Sequence, residues 1–140
     1  MRFMMIMFPS SNAEAGVLPD EKLLTEMGRF NEEMVKAGVL LAGEGLHPSS
    51  AGARVRFPNG KVQVSDGPFS ETKDIVGGFW LIQAKSKEEA VVWASRCPAA
   101  GGAMIEIRRV YESEDFAASD RSGELREAEA RLRKQTEANR

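Results

Sequence analysis

Apolar residues recur along this chain with two different periods, and the periods divide it into strands and helices. Arg2 to Phe8, RFMMIMF, is apolar at almost every position and ends at Pro9 and two serines. The run is too short for a stable isolated helix and predicts a strand buried on both faces. A polar loop follows. Leu23, Met27, Phe30 and Met34 then recur as one helical stripe, with Pro19, Asp20 and Glu21 suited to the first turn and Gly38 to the stop. Val39 to Ala42 predicts a short strand running into an irregular turn, Gly43-Glu44-Gly45-Leu46-His47-Pro48. RVRF at 54–57 and KVQV at 61–64 alternate around Pro58-Asn59-Gly60. Asn-Gly tolerates the positive φ of a type I′ turn, so the pair predicts a β-hairpin.

The polar loop from Ser65 to Asp74 leads into IVGGFWLI, a second run apolar on both faces. Ser86-Lys87-Glu88-Glu89 reads as a capping box, and Ala90, Trp93, Ala94 and Cys97 carry its helix to Pro98. MIEIRRV at 104–110 is the last strand. The order is βαββαβ with a hairpin inserted in the middle, which predicts a ferredoxin-like α+β fold. Two helices cover one face of such a sheet. The strands apolar on both faces therefore predict a homodimer packed sheet on sheet. From Ser113 the composition changes, and Glu124 to Arg140 is mostly Glu, Arg, Lys and Ala with Leu125 and Leu132 as its large apolar residues. The expected organisation is an α+β domain over 1–112 and a charged, helical tail over 113–140. That tail is either a solvated helix with i,i+4 charge pairs or a helix laid across the partner subunit.

Composition narrows the function classes. The chain has 140 residues, 42% of them hydrophobic and 29% charged, as expected of one soluble core. Net charge is −2 and the 19 basic residues are spread out, so neither a nucleic acid nor a membrane surface is an expected partner. No apolar run reaches the roughly 18 to 20 residues of a bilayer span, and the opening lacks a basic n-region with a small-residue cleavage site. One cysteine and one histidine supply no internal disulfide and no structural zinc, and a cytoplasmic setting is expected. Met4, Met5 and Met7 read as core filler rather than a copper site, and Cys97 as a small buried hydrophobe. No cofactor is expected.

Asp66-Gly67-Pro68-Phe69-Ser70-Glu71-Thr72-Lys73-Asp74, followed by Gly77-Gly78-Phe79-Trp80-Leu81-Ile82, resembles the signature of the DGPF branch of the YCII-related family. Gly43-Glu44-Gly45-Leu46, Arg96-Cys97-Pro98 and the strand Ile105 to Val110 resemble it too, so the likeness covers roughly 1–112. The resemblance implies a dimeric α+β barrel. It leaves activity open, because most members of that branch have no assigned reaction and fold does not fix function. Genes of the branch often lie beside extracytoplasmic-function sigma factors, which implies a link to stress regulation. More distant relatives include a dehydrochlorinase-like enzyme acting through a His and Asp pair.

The residues themselves leave two readings open at each position. Asp66 before Gly-Pro either fixes its own turn or serves a ligand site, as base or as orienter of His47. His47 is the one group whose ordinary pKa lies near neutrality, so acid/base chemistry at pH 7 falls to it first, against the plainer reading of an exposed loop residue. Glu44 is a second candidate carboxylate. Phe69 reads as a lid over the cleft or as core, and Glu71 with Lys73 as ligand contacts or as a surface ion pair. Trp80, Gly67 and Pro68 complete the expected ligand-binding set. Gly77-Gly78 predicts a bulge or a close approach of ligand or partner backbone. Two functions compete: a cofactor-free lyase or isomerase with Asp66 and His47 exchanging a proton, or a non-catalytic module sensing a metabolite in the same cleft.

Overall fold

The computed structural model describes residues 1–70, 74–99 and 101–139. They form two compact units, Met1–Arg109 and Val110–Arg140. In the first, the order is β1 (Arg2–Phe8), α1 (Ser11–Glu14), α2 (Glu21–Lys36), β2 (Leu40–Gly45), β3 (Ala53–Arg56), β4 (Gln63–Asp66), β5 (Gly78–Gln83), α3 (Lys87–Ser95) and β6 (Met104–Arg109). A four-stranded sheet has the order β2-β5-β1-β6, with every neighbouring pair antiparallel. The chain passes from β1 through α2 to β2, leaving room for β5 between them. This split βαβ unit, used twice, is the ferredoxin-like α+β fold that the pattern predicts. β3 and β4 pair in a separate two-stranded sheet, the inserted hairpin.

Register explains where the core lies. Phe3 sits opposite Ile82, and Met5 opposite Trp80 on one side and Ile107 on the other, so these side chains share a face. Phe30 and Met34 of α2 and Ala90 of α3 close over them, and Met5, Met34 and Ile82 are fully buried. Each such side chain contributes about 1.5–3 kcal/mol on burial. Phe30 meets Trp80 edge to face at 5.7 Å. The opposite face pairs Met4 with Leu81 and Ile6 with Phe79. Those residues are half-buried rather than buried within this chain.

Several elements depart from the sequence reading. The four-residue α1 lies inside what reads as a plain polar loop, because so short a helix has no periodic stripe. β2 runs on through Gly43-Glu44-Gly45, where a turn is expected, with a register shift between Leu40 and Ala42. The hairpin closes through Phe57–Val62, since Arg56 pairs with Gln63. Asn59 and Gly60 do take positive φ, 51° and 77°. They do so in a short 3-10 turn started by Pro58, which cannot donate to a ladder, so KVQV is strand only in its second half. In α3 the Ser86 hydroxyl accepts from the Glu89 N–H at 3.1 Å, while the Glu89 carboxylate accepts from the N–H of Lys85 rather than that of Ser86. α3 ends at Ser95, short of Cys97, which packs half-buried against the core.

In the second unit a short 3-10 turn, Ser113–Phe116, precedes α4 (Glu124–Glu137). Buried Asp120 accepts from the N–H groups of Leu125 and Arg126 at 3.3 and 2.9 Å and from the Arg126 guanidinium at 3.2 Å. Leu125 and Leu132 are exposed, and Glu129 pairs with Arg133 one turn on. Among the described residues no helix is long and apolar enough to cross a membrane.

Candidate functional site

A cavity of about 700 Å³ opens between the α1–α2 connection, α2, the end of β2 and the start of β5. Its inner wall follows from the sheet register. Gly43 sits opposite Trp80 and Gly45 opposite Gly78, while Glu44 between them sits opposite Phe79. Alternation therefore turns the two glycines of β2 to the Trp80 side and the Glu44 side chain to the other. A Cβ on Gly43 would lie 3.2 Å from Cδ1 of Trp80, so glycine lets the indole seat against the strand. The Trp80 indole N–H donates to Oδ1 of Asn31 at 2.9 Å, which fixes the ring from the α2 side. Met7, Met27 and Leu40 add apolar wall. A Cβ on Gly45 would meet nothing within 4 Å, so the missing side chain is open space.

Of the residues expected at a site, Glu44, His47 and Trp80 lie along this one cavity. His47 is exposed and also borders a smaller adjoining hollow with Glu14 and Pro9. Asp66 ends β4 opposite Ala53, is exposed, and is outside the lining of either cavity. Gly67, Pro68 and Phe69 form a turn pressed on Ser49 instead. Gly67 donates to the carbonyl of Gly52 at 3.0 Å, and a Cβ on Gly67 would stand 1.7 Å from the Ser49 carbonyl oxygen. The Gly67-Pro68 peptide is cis. The Phe69 N–H donates to the Ser49 hydroxyl at 3.0 Å, and the Arg54 guanidinium lies over the Phe69 ring at 3.8 Å. Glu71 and Lys73 lie outside the described residues.

Ser49 is buried, and its hydroxyl and N–H both donate to the Glu14 carboxylate. One serine thus ties α1 to the 66–69 turn. Sequence reading missed Ser49, Glu14 and Asn31, whose roles come from residues 20 to 49 positions away. Gly45 did carry a signal, a glycine beside an apolar strand, read there as turn punctuation. Gly77 and Gly78 do mark close approaches, made by this chain itself. A Cβ on Gly77 would meet the Pro9 ring at 2.7 Å and one on Gly78 the Glu44 carbonyl oxygen at 2.9 Å. Burial raises the Cys97 thiol pKa to about 11, which leaves it a poor nucleophile. Among the described residues no cluster of three His, Cys, Asp or Glu side chains gathers for a metal.

The model of the YCII-related domain matches residues 1–114. An uncharacterised protein of Rhizobium meliloti (strain 1021) is 37% identical over 75 residues, a match that takes in 54% of this chain and 60% of that relative.

Proposed function

The chain belongs to the YCII-related family, whose domain covers residues 1–114, and from that premise we propose that it binds a small molecule in the cavity beside Trp80 and His47. The observation that carries this reading is the cavity itself. At about 700 Å³ it falls within the range of ligand pockets, and its walls combine apolar side chains with a few polar groups, among them Asn31 and His47. The reading takes a binding or regulatory module as the primary role, which leaves a link to sigma-factor regulation as the role of the bound state. A cytoplasmic setting is part of the same proposal.

A catalytic reading has one observation in its favour. His47 borders the cavity, and an imidazole is the side chain most often used for general acid/base chemistry. Asp66 as its proton-transfer partner has less support, because it does not border that cavity. A lyase or isomerase here would depend on His47, and Asp66→Asn would leave turnover unchanged where His47→Gln lowers it by about 10² or more.

The homodimer belongs to the proposal as well. On the sheet face turned from α2 and α3, Met4, Ile6, Phe79 and Leu81 make an apolar surface, and the same surface on a second copy is its natural complement.

Crystals soaked with a fragment library test the binding reading. Fragment density beside Trp80 and Gly45 is the expected result. A library that occupies other surfaces and leaves this cavity without density contradicts it.

A further inference from the structure

We infer that the ligand this cavity admits is an uncharged, largely apolar small molecule, and that Gly45 is the position that keeps room for it. The inference rests on the cavity being the ligand site. Three observations lead to it. Among the described lining residues there is no lysine or arginine, and the one charged residue is Glu44, an anion. A ligand carboxylate or phosphate would lose its water without gaining a lysine or arginine partner among these residues.

Two backbone donors at the rim are already engaged. The Leu46 N–H is held by the Gly77 carbonyl and the Gly77 N–H by that of Met7, at 2.9 and 2.8 Å. The first turn of α2 is closed by Asp20, whose carboxylate accepts from Leu23 at 2.8 Å. A cationic ligand fares little better. Glu44 lies on the strand position that faces away from Gly43, Gly45 and Trp80, and Glu14 of the adjoining hollow is taken up by Ser49. On the Trp80 side of the strand the lining is sulfur, aliphatic carbon and indole, with Asn31 and His47 as polar groups.

The third observation is the glycine. Gly45 ends the edge strand β2, and a glycine there packs no side chain against the pleated surface. At Gly43 the closeness of Trp80 accounts for the glycine. At Gly45 neither a neighbour nor a positive φ does, since nothing lies within 4 Å of an added Cβ and the backbone is that of a strand. A larger side chain would fit there without backbone strain and would stand in the cavity.

The test uses the full chain carrying Trp93→Phe, which leaves Trp80 as the single tryptophan of the two. Its fluorescence is titrated with 2-phenylethanol, 2-phenylethylamine and phenylacetate, alike in size and different in charge. The alcohol is expected to perturb Trp80 saturably and to bind at least about tenfold tighter than either charged probe, a difference of about 1.4 kcal/mol. Gly45→Leu is expected to remove the response while circular dichroism and Tm stay as in the parent. If that variant does not fold, Gly45→Ala carries the same comparison with a partial loss. Equal or tighter binding of phenylacetate or the amine, still blocked at Gly45, overturns the ligand class and leaves the cavity reading standing. No response to any probe, or a response that a folded Gly45 variant retains in full, overturns the cavity reading and the inference with it.

Discussion

Trp80 lines the cavity and also belongs to the core, and Asn31 makes both roles compatible by accepting the indole N–H at 2.9 Å. Asn31→Ala removes that acceptor and is expected to destabilise the fold by about 0.5–1.5 kcal/mol in urea unfolding, with Asn31→Asp, which keeps an acceptor, losing less. A stability unchanged by Asn31→Ala contradicts this role. Gly67 is the residue with least freedom, because any Cβ collides with the Ser49 carbonyl. Gly67→Ala forces the 66–69 turn off Ser49, at a cost of about 1–3 kcal/mol by the same measurement. Cys97 belongs to the opposite class, a residue whose chemistry is suppressed. Burial disfavours the thiolate and lifts the pKa to about 11, so at pH 8 a disulfide reagent should label it slowly in the native protein and rapidly in denaturant. Equal rates would place the thiol in solvent.

At the scale of elements, legibility followed the reach of the signal. β1 is read from sequence with its observed bounds, and the stripe of α2 and the Ser86 cap of α3 are local patterns that the structure repeats. β2 was misjudged because glycine punctuates turns in general, whereas here it serves Trp80 from the neighbouring strand. The candidate site was legible in part for the same reason. Trp80, His47 and Glu44 stand in unusual local contexts, but Asn31 and Ser49 gain their roles from partners far along the chain. The second unit offers a local test. The backbone N–H of Arg126 is the leading cause that holds the Asp120 carboxyl below the usual range, with the N–H of Leu125 and the Arg126 side chain adding to it against desolvation. A depressed folded-state pKa contributes stability above the ordinary aspartate value of about 4 that is lost as pH falls through the depressed one. The amide shifts of Leu125 and Arg126 should therefore titrate together with a midpoint below about pH 4. A midpoint at or above it would remove Asp120 as the carboxylate acceptor for the first-turn N–H groups of α4.

At the scale of the molecule, the sheet presents one face closed by α2 and α3 and an opposite face that is apolar along β1 and β5 and flanked by Glu44, Glu106 and Arg108. The proposed homodimer covers that second face and is expected to bury about 2,000 Å² or more in total. Sedimentation at micromolar concentration should give a dimer, both for the full chain and for a chain ending at Ser119, since Leu125 and Leu132 are exposed. A folded monomer contradicts the pairing. A truncated chain that dissociates more than about tenfold more readily, about 1.4 kcal/mol, assigns the tail to the interface instead.

The central claim is that the space between α2, β2 and β5 is a binding site, and Trp80 reports on it directly because its indole N–H is held at the cavity by Asn31. The most direct measurement is a ¹H–¹⁵N NMR titration of the full chain with 2-phenylethanol. The account predicts saturable shifts of the Trp80 indole signal and of the Gly43, Gly45 and His47 amides, with the 66–69 turn and α4 unmoved. Saturable shifts confined to Met4, Ile6 and Leu81, or no shift at the Trp80 indole up to the solubility limit of the probe, would contradict it.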